Sequence, residues 1–291
     1  MFFFLAVISM AAYAVQNTLL VHHVRKLDGL SVAIFRNFSL IVTMSPLLFL
    51  ATRAEIFAVF QNWPLLLAAS ATGAISLTFS LWSIKFLPVG ISLAFRRGLG
   101  AILMFVAGFL MFGETISLIE AGIVLLVILT TTWVTLIKNN FEHLNHRVRI
   151  GFLLAIICTI FGVITFSLMS LLAREAGPAA TGYFWEMGIG ISALMIGFGR
   201  QIFGGKKIAK ISGKVFLKIA LISWPTLIAT GSFAYAVTLG PIGIANAIGT
   251  GGILVGTVMA HFLYREKLKK MQWILIFAIA AEIAIFKLLG Y

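Results

Sequence analysis

The stretch "FLPVGISLAFRRG", residues 86–98, returns later in the chain as "LGPIGIANAIGTG", residues 239–251. The two stretches align without a gap and keep proline, glycine, alanine and glycine at the same four places. Each continues through an apolar run to a charged exit, "MFGETIS" at 111–117 and "LYREKLK" at 263–269. The chain therefore carries two copies of one structural unit.

Composition places these units in a lipid bilayer. The 291 residues are 61% hydrophobic and 11% charged, with a mean hydropathy of +1.08, whereas a soluble domain has roughly 25% charged residues. A helix needs about 20 apolar residues to cross about 30 Å of hydrocarbon. Ten runs approach that length: 2–22, 31–51, 63–84, 88–112, 117–137, 150–172, 181–203, 215–237, 241–264 and 271–289.

Five spans in each copy determine the architecture. Because five is odd, the two copies must lie in the membrane in opposite orientations. We predict an all-α integral membrane protein of ten transmembrane helices, arranged as two inverted five-helix repeats at residues 1–140 and 150–291. Inverted repeats are typical of secondary transporters, whose site lies near the midplane between the repeats. The short connections exclude a soluble catalytic domain.

The basic residues indicate an orientation. The loops and helix ends after spans one, three, five, seven and nine hold sixteen Lys and Arg residues, against three on the opposite face. By the positive-inside rule, the first face is cytoplasmic and both termini lie outside. The net charge of +13 is thus explained by orientation in the inner (plasma) membrane, and we predict no nucleic-acid partner.

The order of several motifs resembles the EamA family of the drug/metabolite transporter superfamily. These are Arg36 in "VAIFRNF", a proline opening the fourth and ninth spans, and the Gly-Glu and Arg-Glu exits. The resemblance covers essentially the whole chain and implies a proton-linked or exchange carrier of small metabolites, commonly an exporter of amino acids or related compounds. The chain departs from the family pattern in two ways. Its fourth span carries "FRRG" where many relatives have apolar or small residues, and its charges place the termini outside, whereas characterised relatives generally keep both termini in the cytoplasm. We follow the charges for orientation.

Arg96 and Arg97 stand inside the fourth span. At 1.5 Å per residue they lie roughly 12 Å along the helix from Pro88, where each charge costs at least about 2.5 to 3.5 kcal/mol on insertion scales. Adjacent residues point about 100° apart, so we expect one arginine to bind substrate in a cavity and its neighbour to be structural. The alternative is that both form structural pairs with Glu186 and Glu282.

Nine acidic residues are few enough to consider singly. Glu186 and Glu282 lie within apolar runs, and a buried carboxylate that exchanges partners is a candidate proton carrier. Glu186 ranks first because aromatic residues and glycines surround it. Glu114 and Glu266 occupy the helix exits, where a gate or packing role is expected, and Arg36 is expected to anchor helix packing or a gate.

Helix spacing gives the other candidates for a substrate cavity. Ser80 belongs to a serine row on the third span, with Phe79 and Trp82 as stacking surfaces beside it. Tyr235 aligns with Trp82 in the second copy, and Trp185 adjoins Glu186. Aromatic rings with a few hydroxyls suit a small organic solute, and helix packing is the alternative for each of these residues.

A carrier explains the repeats and the isolated buried charges. A channel would need a continuous polar stripe, and an intramembrane enzyme a converging nucleophile and base or metal ligands; neither is evident. No P-loop is present, so a gradient or exchange must supply energy. We predict no catalytic residue, metal or cofactor. The expected partners are a small-molecule substrate, lipid and, for the coupled form, protons, in a monomer or homodimer.

Arginines favour an anionic substrate group and buried glutamates a cationic one. Together they favour a zwitterion such as an amino acid, or a related anionic compound. A multidrug or cation exporter is the alternative.

Overall fold

The structure of the protein, a computed structural model, describes residues 1–87, 89–115, 117–138, 146–264 and 270–291. These residues form helices and connecting turns, with no strand among them. The helices are α1 (Phe2–Lys26), α2 (Gly29–Thr43), α3 (Pro46–Leu50), α4 (Arg53–Gln61), α5 (Trp63–Phe86), α6 (Val89–Phe112), α7 (Leu118–Lys138), α8 (His146–Ala176), α9 (Pro178–Ile202), α10 (Gly213–Ser223), α11 (Pro225–Leu239), α12 (Ile242–Thr250), α13 (Gly252–Tyr264) and α14 (Lys270–Leu288).

Within the described residues, six segments are both long and apolar enough to cross a membrane. They are Phe2–Leu20, Trp63–Phe86, Phe95–Phe112, His146–Ala176, Gly213–Leu239 and Ile242–Leu263. Gly29–Thr43 and Leu118–Thr130 are shorter apolar helices. The chain is therefore an all-α protein with the helices of a multi-pass membrane protein.

Three predicted spans are interrupted in the structure. The run 31–51 breaks before Pro46, where a ring without an N–H cannot continue the helical hydrogen bonds, and α3 begins there. The run 215–237 breaks in the same way at Trp224 and Pro225, between α10 and α11. The run 241–264 turns at Gly251, between α12 and α13.

Helix α4 lies between two predicted spans, in a segment without a predicted element. A capping box explains it, because the Thr52 side chain accepts from the Glu55 N–H while the Glu55 carboxylate accepts from the Thr52 N–H. This reciprocal pair satisfies two N–H groups that a helix start leaves unbonded.

Small residues bring the helices of the two halves into close contact. A Cβ atom on Gly188 of α9 would overlap Ser70 Oγ of α5, and one on Gly73 would lie 2.8 Å from Ile189. Small residues at such crossings let helix backbones approach each other in a membrane. Helix α5 packs against both α8 and α9, α1 packs against α11, and α2 packs against α9.

An ion pair marks each end of the helix bundle. At the end rich in basic residues, Arg200 Nη2 donates to Asp28 Oδ2 at 2.9 Å. Burial raises the pKa of Asp28, but the hydrogen bond and charge of Arg200, together with the Ser31 N–H and the charge of Lys85, outweigh burial and hold the pKa below its usual 3.8. At the other end, Arg174 Nη2 donates to Glu114 Oε1 at 2.8 Å. The candidate site lies between these two ends.

Candidate functional site

A cavity of about 220 Å³ lies among helices of both halves. Helices α1, α2, α5, α6, α8, α9, α11 and α12 contribute to its wall. Most of its lining is apolar. The polar and charged lining residues are Ser9, Tyr13, Gln16, Asn17, Arg36, Ser76, Ser80, Arg96, Arg97, Cys158, Thr159, Thr165, Trp185, Glu186 and Asn246.

Arg36 and Glu186 form a buried ion pair in the wall of this cavity. Arg36 Nη1 donates to Glu186 Oε2 at 3.0 Å, and Nη2 reaches Glu186 Oε1 at 3.4 Å. Asn37 Nδ2 donates to Glu186 Oε2 at 3.0 Å, and Thr230 Oγ1 donates to Oε1 at 3.0 Å. Each carboxylate oxygen thus accepts two hydrogen bonds, so both oxygens of Glu186 have a full set of partners.

Polar side chains from α1 and α11 extend the network around Arg36. With the Gln16 amide oriented so that its oxygen faces Arg36, this oxygen accepts from Arg36 Nε at 2.7 Å and its nitrogen donates to Thr226 Oγ1 at 3.1 Å. Tyr13 Oη lies 2.7 Å from Thr230 Oγ1. Because Thr230 donates its proton to Glu186, the Tyr13 hydroxyl is the donor in that bond. Four helices, α1, α2, α9 and α11, therefore share one network.

Arg96 is held by its surroundings. Its Nη1 donates to Ser80 Oγ on α5 and lies 3.4 Å from Cys158 Sγ on α8, and its Nε donates to the Ser92 carbonyl at 3.3 Å. These contacts tie α6 to α5 and α8. Glu186, the acidic partner considered for the two arginines, is paired with Arg36 instead.

Arg97 differs from its neighbour. Within the described part of the chain it has no hydrogen bond or ion pair with another side chain, although it is partly buried and lines the cavity. A Cβ atom on Gly249 of α12 would lie 3.6 Å from Arg97 Nη1 and also 3.6 Å from Asn246 Oδ1. The Arg97 guanidinium thus lies beside α12 of the second half, and no described residue forms an ion pair with it.

Two other predicted binding residues, Ser80 and Trp185, line the cavity as well. The Trp185 indole nitrogen donates to Thr165 Oγ1 at 3.0 Å, which fixes the orientation of its ring. Phe166 lies between Trp185 and Phe233, with ring centroids at 5.4 and 5.1 Å. These three rings form an aromatic group in the cavity wall.

Phe79, Trp82 and Tyr235 are not among the residues that line the cavity. Phe79 and Trp82 pack against each other edge to face, with centroids 5.4 Å apart, and Trp82 Cδ1 would lie 3.0 Å from a Cβ on Gly29. They lie on a different side of α5 from Ser80, because successive residues turn by about 100°.

The remaining acidic candidates lie away from the cavity. Glu282 on α14 accepts from Thr130 Oγ1 at 2.8 Å, and its buried Oε2 has no hydrogen-bond partner among the described residues. Glu114 accepts from Arg174 and from the Ile242 N–H at 2.9 Å. Glu266 lies outside the described residues, as does Pro88.

Several polar cavity residues were not singled out by the sequence. Tyr13, Gln16 and Asn17 follow the i, i+3, i+4 spacing of one helix face on α1, which is the signal that identifies them. Asn246 stands next to the glycines of α12, and nothing in the sequence distinguishes it from a packing residue.

The comparisons with known proteins bear on the fold alone. No protein-family model and no curated protein matches the chain. A solved structure described as "Crystal structure of protein" is similar, with a TM-score of 0.74 over 98% of this chain and 97% of its own. At 15% identity, this likeness shows that the two chains share a fold along their whole length.

Proposed function

We propose that this protein is a secondary active transporter of a small polar metabolite that works by alternating access in the plasma membrane. The observation that carries the proposal is Arg97, a charge without a partner among the described residues, in a cavity lined by both halves of the chain. A charge inside a bilayer is costly, and a polar ligand offsets that cost when it binds. We also propose that the chain is a member of the EamA family.

The pattern of helix contacts supports an inverted repeat. Ten spans in two sets of five correspond as α1 with α8, α2 with α9, α5 with the pair α10 and α11, α6 with the pair α12 and α13, and α7 with α14. If each helix is replaced by its counterpart, the contact between α5 and α8 corresponds to a contact between α11 and α1. Both contacts are present. The contact of α6 with α8 likewise becomes that of α12 or α13 with α1.

Three further contacts join a helix to its own counterpart: α2 with α9, α6 with α12, and α7 with α14. A twofold relation between the halves produces such self-paired contacts. In transporters with inverted repeats, the substrate site lies at the repeat interface and one repeat rocks against the other. The cavity and the Arg36–Glu186 pair both lie on contacts of this kind between the two halves.

Transport is tested with purified protein in proteoliposomes. Candidate substrates are first found by thermal shift, because a ligand that binds the folded state raises its stability by mass action. A carrier then gives saturable uptake of the labelled compound and counterflow against an internal load. Flux that rises linearly with concentration, or conversion of the compound into a product, would contradict the proposal. Uptake with and without a pH gradient separates proton coupling from exchange.

A further inference from the structure

We propose that the cavity selects anions: Arg97 binds the acidic group of the substrate, and the apolar remainder lies against the aromatic group of Phe166, Trp185 and Phe233. This inference rests on the proposed function, because the bound compound is a transported substrate only if the protein is a transporter. It narrows the substrate class from polar metabolites in general to organic acids with a net negative charge. The acidic group is a carboxylate or a phosphate, since a guanidinium fork matches both.

The charged residues of the cavity wall favour an anion. Among the described residues, three arginines and one glutamate line the cavity, namely Arg36, Arg96, Arg97 and Glu186, and together they carry a net charge of +2. Glu186 cannot receive a substrate ammonium without losing the four hydrogen bonds that it accepts from Arg36, Asn37 and Thr230. The described lining residues thus provide no free carboxylate for a cation or for the amino group of a zwitterion.

The two adjacent arginines differ in their hydrogen bonds. Arg96 donates hydrogen bonds to Ser80, Cys158 and the Ser92 carbonyl. Arg97 donates none to the described residues, so its guanidinium group is available to bind a ligand. Asn246 Oδ1 and Arg97 Nη1 each lie 3.6 Å from the would-be Cβ atom of Gly249, so the Arg97 guanidinium reaches the part of the wall that α12 contributes.

The aromatic part of the wall offers an apolar surface to the ligand. Phe166, Trp185 and Phe233 line the same cavity, and the Trp185 N–H is already used by Thr165. These rings therefore present apolar surface and no free donor. A charged end at Arg97 and an apolar body at the rings together describe an amphiphilic organic acid.

Cys158 provides a direct test, because it is the sole cysteine of the chain and lines the cavity. Purified protein is treated with two methanethiosulfonates of similar size, one bearing a sulfonate and one a trimethylammonium group. We expect the anionic reagent to react faster. In Arg97→Gln the anionic reagent should react about tenfold more slowly and the cationic one about tenfold faster, so the ratio of the two rates should fall about a hundredfold, the order of magnitude for one charge at about 10 Å and an effective dielectric constant near 20. Exposed Arg53 gives the matched control, Arg53→Gln, whose ratio should stay unchanged.

A second reporter covers the case in which Cys158 is too enclosed to react. Asn17 also lines the cavity, so Asn17→Cys in a Cys158→Ser background offers a thiol on another helix. Equal reaction of both reagents at the two positions, or a ratio that Arg97→Gln leaves unchanged, would overturn the proposal.

A matched ligand series tests the substrate class. Thermal shifts are measured with phenylpropionate, phenyl phosphate, phenylalanine and phenethylamine, which share a ring and differ in charge. We expect one or both anions to stabilise the protein, which also separates carboxylate from phosphate, and we expect Arg97→Gln but not Arg53→Gln to remove the effect. Stronger stabilisation by the zwitterion or the amine would overturn the proposal. Both measurements are independent of flux, so anion selectivity without saturable uptake would refute the transporter and leave this inference standing.

Discussion

Arg36 of α2 and Glu186 of α9 lie 3.0 Å apart, nitrogen to oxygen, in an ion pair whose side chains are 6% and 3% exposed. A buried pair loses much of its Coulomb energy to desolvation, but removing one partner leaves an uncompensated charge. The pair therefore matters more for keeping α2 and α9 in one arrangement than for net stability.

We expect Glu186→Gln to lower the free energy of unfolding by about 3 to 5 kcal/mol, the cost of breaking a buried pair on one side. Arg36→Gln combined with Glu186→Gln should cost clearly less than the sum of the two single changes, because it leaves no lone charge. Unfolding of the detergent-solubilised variants measures both. Additive losses would mean that the pair is not coupled.

The same variant tests proton coupling. If Glu186 carries the proton, Glu186→Gln abolishes pH-driven uptake in proteoliposomes and retains exchange. The full set of donors around Glu186 favours a structural role for this carboxylate. Unchanged pH dependence in a folded variant would remove Glu186 from the coupling mechanism.

Arg96 and Arg97 should respond differently to substitution. Arg97→Lys keeps the charge and loses the planar fork, so ligand affinity should fall roughly tenfold, about 1.4 kcal/mol, with little change in stability. Arg96→Ala removes contacts to Ser80 and Cys158 and should lower the melting temperature with or without ligand. Parent-like binding and stability in both variants would contradict the division of roles.

The Asp28–Arg200 pair should make stability depend on pH. The folded pKa of Asp28 lies below its unfolded value of 3.8, so its contribution is fully present above pH 3.8 and is lost as the pH falls through the folded pKa. Both side chains are about one fifth exposed, which keeps the contribution below about 1 kcal/mol. Melting temperatures of the parent and Asp28→Asn should differ near pH 6 and converge in acid. A difference that persists below the folded pKa would exclude this origin.

The charge bias predicts the orientation of the chain. A fluorescent protein fused to the C-terminus should stay dark, and an alkaline phosphatase fusion at the same point should be active, because both termini are expected outside. The reverse result would mean that the topology implied by the resemblance to the EamA family overrides the charge bias.

The sequence predicts the class of fold well and the cavity in part. Charges within apolar runs are costly, and for that reason Arg96, Arg97 and Glu186 stand out as candidates and do line the cavity. Phe79 and Trp82 do not, since an aromatic residue in an apolar run has the same appearance whether it faces a cavity or a neighbouring helix. The pairing of Glu186 with Arg36 joins residues 150 positions apart, and only the tertiary packing of α2 on α9 decides it.

Glu114 and Arg174 also act on the backbone at the break between α11 and α12. Glu114 accepts from the N–H groups of Ile242 and Gly243 at 2.9 and 3.4 Å, while Arg174 donates to the carbonyls of Val237 and Gly240 at 2.7 and 3.1 Å. The Glu114–Arg174 pair thus links the end of α6 and the end of α8 to the backbone that connects α11 with α12. The bonds from Arg174 to Val237 and Gly240 lie within the second half, so a motion that separated the halves at this face would break only the contacts of Glu114 with Arg174, Ile242 and Gly243. Because these contacts meet on one carboxylate, they would be lost together.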